Sequence, residues 1–261
     1  VKLGLAGGGK ELLLSGEVVR HVTPEQAVAW NMPVGFAVQL SNLTATQKEA
    51  IAAFIHFGIN TFYDVEWGHG TEDPTKFNPT QLDARQWVRT FKKAGMKGVI
   101  FTAKHHDGMC FWPSKYSSHT IAQTPFRGGK GDLLREISDA CKAEGLKLGI
   151  YLSPWDRNHP TYGTPEYNQT FVKMLEEVLG NYGPIFEVWF DGANGEGPNG
   201  KKQVYDWPLF VKTVRRLQPN AVIFSDAGPD IRWVGNESGH AAPENWATIN
   251  RNSGRAECAG V

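Results

Sequence analysis

Cysteine is scarce in this chain: three in 261 residues (Cys110, Cys141 and Cys258), with no CxxC pair and no regular spacing. That argues against a disulfide framework and against a structural zinc site. Long apolar runs are also missing, and none approaches the ~18 residues that a membrane span needs. The opening VKLGLAGGGKELLLSGEVV breaks its apolar stretches with glycines and charges, so no signal peptide is readable there. Neither sign of charge is in excess: Lys+Arg and Asp+Glu number 27 each. With no long-range field to gather a polyanion or an anionic surface, neither nucleic acid nor a membrane is an expected partner. No GxGxxG follows a strand-like run, since Gly7-Gly8-Gly9 stands outside any strand-helix unit, and there is no Walker-type loop and no GxSxG elbow. No cofactor is expected.

What the chain does have is glycine (29), proline (15) and tryptophan (9). Gly and Pro together make about 17%, against a usual ~12%, which marks a globular chain rich in loops. Many of the tryptophans stand beside glycines and charged residues instead of inside apolar runs, where flat faces suit ligand stacking as well as anchoring a loop.

Residues 1–43 carry no sustained period and read as an N-terminal arm or leader remnant, ahead of one catalytic domain over 44–261. Thr46 and Glu49 have capping-box spacing before the apolar run Phe54 to Ile59, the first expected strand. One grammar then repeats. Asp83 opens a helix ending at Gly95, before the strand Gly98 to Thr102; Asp132 opens one ending at Gly145, before Leu146 to Leu152. Thr164-Pro165-Glu166 starts a long helix ending near Gly183, before the strand Phe186 to Phe190. A helix from Trp207 to Leu217 precedes the strand Ala221 to Phe224. Strands apolar on both faces, alternating with helices, predict an α/β fold with a parallel sheet covered by helices.

Polar or aromatic residues follow nearly every strand: His56, His105-His106-Asp107, Trp155-Asp156, Asp191 and Asp226. Chemistry spread over many strand ends favours a (β/α) TIM-like barrel over an open sheet, which concentrates it at one switch point. Five units reach about residue 226 and leave roughly 35 residues, too few for three more pairs of a regular barrel. The barrel is therefore expected to be irregular or incomplete, with truncation at the C-terminus favoured.

Asp191 is the foremost candidate. A strand delivers it to the glycine- and asparagine-rich loop 192–200, where a carboxylate could serve as nucleophile or merely cap the loop. His105 and His106 can meet one ligand only if the strand has already turned, which Asp107-Gly108 permits. With His56 they suit hydrogen bonding to a polyhydroxylated ligand, a metal site, or structure alone. Glu66-Trp67, Trp112-Pro113, Trp155-Asp156-Arg157 and Arg232-Trp233 each join an aromatic plate to charged groups, as a sugar's apolar face and hydroxyl fringe require. Asn42, Asn168 and Asn236 fit the glycosylation pattern. Two other classes stay open: a non-catalytic carbohydrate-binding protein, and a metal-dependent hydrolase using His105, His106 and Asp191.

Five segments in order, HFGINTFYDVEW (56–67), TAKHHDG (102–108), YLSPWD (151–156), VWFDG (188–192) and FSDAGP (224–229), closely resemble the α-L-fucosidases of glycoside hydrolase family 29. The resemblance runs from about residue 45 to about 250. It implies a barrel-like catalytic domain and retaining hydrolysis of fucosylated oligosaccharides or glycoconjugates, in a secreted or periplasmic setting. Motif by motif, the family's nucleophile falls on Asp191, its sugar-binding histidines on His56, His105 and His106, and its pocket aromatics on Tyr151 and Trp189. Trp233-Val-Gly-Asn-Glu237 resembles the branch that prefers α-1,3 or α-1,4 linkages and implies Glu237 as acid/base, with Glu66 and Glu244 as rivals. Retention needs two carboxyls about 5 to 5.5 Å apart in unequal environments, one ionised and one protonated.

Overall fold

The computed structural model describes residues 2–7, 10–22 and 35–41 as backbone, and 52–225 and 229–232. The chain divides into two compact units. In the first, β1 (Lys2–Gly7), β2 (Lys10–Val22) and β3 (Gly35–Ser41) form an antiparallel sheet in that order, with an irregularity between Val18 and Arg20. The stretch expected to be a patternless arm thus carries three strands. Gly7 pairs with Lys10, so only two glycines connect the first pair, a hairpin signal that stood in the sequence.

The second unit, Ala52–Trp233 with Thr248–Val261, holds His56, His105, His106, Tyr151, Trp189 and Asp191. Its strands are β4 (Ala52–Ile55), β5 (Gly98–Lys104), β6 (Lys147–Leu152), β7 (Ile185–Trp189), β8 (Val222–Ser225) and β9 (Ile231–Arg232). All pair in parallel, and their order across the sheet is their order along the chain. A doubly wound sheet reverses direction at a switch point; here each new strand joins the same edge, which is how a (β/α) barrel wall is laid down. Helices α1 (Ala84–Lys93), α2 (Leu133–Glu144), α3 (Pro165–Asn181) and α4 (Trp207–Leu217) lie in the first four connections. Among the described residues no helix is long and apolar enough to cross a membrane.

Local signals explain the boundaries. The side chains of Asp83, Asp132 and Asp206 accept from the backbone N–H three residues on (Gln86, Arg135 and Leu209), giving each helix a partner for one orphan donor. Gly145 ends α2 at φ 74°, a left-handed cap that suits glycine. Thr164 differs from expectation. Its hydroxyl donates back to Thr161 O, so α3 starts on Pro165 without a side-chain cap. The first strand also ends earlier than expected, at Ile55, and a 3₁₀ turn occupies Ile59–Phe62.

The two faces of the sheet differ. Ile55, Phe101, Ile150, Val188 and Ile223 lie side by side across five strands, all buried, and the helices close over that face with Leu134, Ile137, Phe171, Leu175, Phe210 and Val214. The opposite face carries the row Thr102, Tyr151, Trp189 and Phe224. Phe54 joins it, its ring 4.3 Å from Trp189 and 5.8 Å from Tyr151, so the site stands on an aromatic floor. Cys110 and Cys141, the described cysteines, are free and buried.

Glu187 faces the same side as Trp189, two residues before it on β7. Burial alone pushes its carboxyl up to about 7. The folded chain therefore binds a proton between about pH 4.5 and 7 that the unfolded chain has released, so Glu187 lowers stability as pH rises through that window. Glu187→Gln should raise the melting temperature by several degrees at pH 8, an effect of about 1 to 3 kcal/mol, and leave it unchanged near pH 4.5. Thermal melts across pH check this; an equal gain at both ends would contradict it.

Candidate active site

The carboxyl ends of β4 to β7 converge on Asp191. The residue follows β7, its side chain is 25% exposed, and both oxygens are held: Oδ1 accepts from Ala193 N (2.8 Å) and Oδ2 from the Tyr151 hydroxyl (2.7 Å). Tyr151 is almost wholly buried, and burial followed by the Asp191 charge raises its phenol well above the usual value, so it stays a donor. These two bonds fix the carboxylate at the cleft edge.

Three imidazoles stand around it. A bulge between Thr102 and Lys104 bends the end of β5, and a tight turn follows, with Gly108 N bonded to His105 O (3.0 Å) and Gly108 at φ 85°. The turn brings both rings to one side, with centroids 4.2 Å apart. Burial pushes both down to about 3, helped at His105 by the neighbouring His106 and His56 and at His106 by the Lys104 ammonium and His56. Both are neutral at any working pH. His56 lies open to the cleft, its ring 4.8 Å from Phe54 and 5.5 Å from His105, and burial lowers it against the pull of Asp191. His106 Nε2 is 3.7 Å from Asp191 Oδ2, and its Nδ1 is 2.7 Å from Ser153 Oγ. Among the described residues no group of three or more His, Cys, Asp or Glu side chains is arranged to hold a metal ion.

Trp67 forms the rim above His106, 5.7 Å away between ring centroids, while Trp155, expected on the rim, is buried against the same ring at 4.7 Å with its indole donating to Glu196 O (3.1 Å). Trp67 is 49% exposed. Its loop is nonetheless fastened: Arg157 donates to Gly68 O (2.6 Å), Asn158 to Gly70 O (2.7 Å), and the Glu72 carboxylate accepts from the N–H groups of His69 and Gly70. Asn60 ties the loop to the histidine turn by donating to Glu66 O and to Asp107 Oδ2. Gly70, at φ 80°, abuts the Arg157 backbone so closely that any Cβ would lie 2.4 Å from it. The aromatic plate is preformed, with its ordering cost met on folding.

Of the residues singled out in the sequence, His56, His105, His106, Tyr151, Trp189 and Asp191 come together, with Trp67 on the rim. Glu66 is exposed on the Trp67 loop. Trp112 lies elsewhere: it is buried, and its indole donates to Glu177 on α3 (2.8 Å). Asp156 does not join the rim either, being sealed in an ion pair with Lys104 (3.2 Å). Glu237, Glu244, Trp233 and Asp226 lie outside the described residues. Asn168 spends its side chain on Val204 O and Asp206 N. Sequence reasoning missed Ser153, Lys104 and Asn60, whose roles exist only as contacts between segments distant in the sequence.

A fixed carboxylate beside imidazoles and aromatic faces, at the carboxyl edge of a barrel-type sheet, is an arrangement suited to an uncharged, hydroxylated ring. A family model described as Alpha-L-fucosidase matches residues 43–255. Alpha-L-fucosidase 1 of Arabidopsis thaliana is 47% identical over 210 residues, covering 80% of this chain and 41% of the plant protein. A glycoside hydrolase 29 family member from an unknown rumen bacterium superposes with a TM-score of 0.72 at 50% identity, covering 80% of this chain and 41% of that one. A Ruminococcus gnavus GH29 fucosidase, solved in complex with fucose, has a TM-score of 0.68 at 38% identity, covering 76% and 46%. The chain belongs to the α-L-fucosidase family, and it spans under half the length of each of these relatives.

Proposed function

We propose that this protein is a retaining exo-α-L-fucosidase, releasing terminal fucose from glycans through a covalent intermediate on Asp191, with residues 44–261 as its catalytic domain. The observation that carries the reading is the double restraint on Asp191 by Tyr151 and Ala193 N, beside a wall of uncharged histidines. A nucleophile so held needs little reorganisation to meet an anomeric carbon. Neutral imidazoles can bind sugar hydroxyls without placing a cation next to the attacking oxygen. L-Fucose carries a methyl group in place of a hydroxymethyl, and the rings of Phe54, Trp189 and Trp67 offer it an apolar surface. The fucose complex of the Ruminococcus gnavus relative supports the same ligand class.

In the proposed reaction Asp191 attacks the anomeric carbon while Glu237, protonated, hands its proton to the departing oxygen. Glu237 then takes a proton from water, which attacks the same carbon and frees Asp191. Two inversions give net retention. The Trp233-Val-Gly-Asn-Glu237 motif supports α-1,3 and α-1,4 linkages as the preferred ones, and a secreted or periplasmic enzyme would meet such glycans.

The test is hydrolysis of a panel of α-1,2-, α-1,3-, α-1,4- and α-1,6-fucosylated oligosaccharides followed by proton NMR before mutarotation. α-L-Fucose should appear first, from the α-1,3 and α-1,4 members. Initial β-L-fucose would mean inversion, and no release from any member would remove the fucosidase reading.

A further inference from the structure

We infer that Ser153 and the Trp155 carbonyl set the tautomer of His106, so that the imidazole presents Nε2 as a bare acceptor beside Asp191 and takes the proton of a ligand hydroxyl into a hydrogen bond. The inference deepens the fucosidase reading, on which it rests only for the identity of that ligand.

Ser153 is wholly buried, and its hydroxyl has one hydrogen for three neighbours: Trp155 O, 3.0 Å away, His106 Nδ1, 2.7 Å away, and the Tyr151 hydroxyl, whose own hydrogen goes to Asp191. The carbonyl can only accept. Were the hydrogen given to Nδ1 or to the Tyr151 oxygen, lone pairs of Ser153 Oγ and Trp155 O would face each other at 3.0 Å. Given to Trp155 O, it leaves Ser153 Oγ free to accept Nδ1–H, and every group is satisfied. The Lys104 ammonium, 3.3 Å from the same carbonyl, takes its second lone pair. Lys104 is itself held by Asp156 and by the Tyr167 hydroxyl of α3 (3.4 Å), so the carbonyl is anchored from the helix layer.

The consequence lies on the other side of the ring. With Nδ1 protonated and the ring neutral, Nε2 carries a lone pair. Its neighbour Asp191 Oδ2, at 3.7 Å, is also an acceptor and lies beyond hydrogen-bond range. Two acceptors facing one cleft call for a donor, which a hydroxyl supplies. In the opposite tautomer Nε2–H would turn a donor into the cleft and could not accept the ligand hydroxyl. Ser153 is thus a positioning residue that acts through His106.

The two-bond proton–nitrogen correlation spectrum of the ¹⁵N-labelled full chain reads the tautomer directly. Between pH 5 and 8 the His106 ring should show Nδ1 protonated and Nε2 bare. Ser153→Ala should populate the Nε2–H form and lower kcat/KM on an aryl fucoside by about ten- to a hundredfold, while Ser153→Thr, which keeps the hydroxyl, restores the wild-type ring pattern and most of the rate. An Nε2–H ring in the wild type, or an unchanged ring in Ser153→Ala, overturns the inference whatever the activity. The wild-type spectrum decides even if the alanine variant does not fold. The expected ring pattern without turnover counts against the fucosidase reading alone.

Discussion

Asp191→Gly should abolish turnover, by about 10⁴-fold or more, because without its carboxylate no covalent intermediate can form. The fold should survive. Asp191 sits at a loop edge, and its removal costs the Tyr151 hydroxyl one partner, about 1 to 3 kcal/mol. The space left by the carboxylate admits a small anion on the same face of the sugar. Azide should then partly restore consumption of an activated fucoside and yield the β-fucosyl azide, inverted relative to the substrate. Ordinary hydrolysis at an undiminished rate would overturn the role of Asp191; an α-fucosyl azide would place the missing group on the opposite face.

The second large effect concerns Glu237. General acid assistance matters greatly for an oligosaccharide leaving group and little for a dinitrophenolate, which departs without a proton. Glu237→Ala should therefore lose most activity on a Lewis-type glycan, by about 10² to 10⁴-fold. On an activated aryl fucoside it should still form the intermediate readily. Azide should intercept that intermediate from the face the water would use, giving the α-fucosyl azide. Glu66→Ala is the control. Glu66 is exposed on the fastened Trp67 loop, a placement that suits orienting a ligand, and its removal should weaken binding without changing leaving-group dependence. If Glu66→Ala shows the leaving-group signature and Glu237→Ala does not, the acid/base has been assigned to the wrong loop.

The parallel sheet was legible because its strands are continuous apolar runs punctuated by Asp caps and glycine stops, all of them local signals. Gly98 and Lys147 open strands where the pattern changes sign, and Asp83 and Asp132 cap the helices expected of them. The N-terminal sheet was not legible, since β2 mixes Leu12-Leu13-Leu14 with Glu17, Arg20 and His21 and shows no clean alternation. At the site, His105-His106-Asp107-Gly108 was readable as a turn because Gly108 admits positive φ. The Trp112 and Asp156 readings fell short for one reason: composition cannot say which way a loop side chain points. Trp112 turns to Glu177, and Asp156 to a lysine 52 positions earlier that a bulge has directed to the helix side. Ser153 carries no signal of its own, since a serine after a strand becomes informative only once its neighbours His106 and the Trp155 carbonyl are placed in space.

The central claim is that Asp191 becomes covalently bonded to the sugar. A 2-deoxy-2-fluoro-L-fucosyl fluoride slows both steps but departs fast enough to accumulate the intermediate, so intact-mass spectrometry after incubation reads the claim directly. The account predicts one added fluorofucosyl group per chain, and peptide mapping should locate it on the peptide containing Trp189-Phe190-Asp191, with fragmentation assigning it to Asp191. A label on Glu66, or turnover of the reagent with no label at any time point, would contradict it.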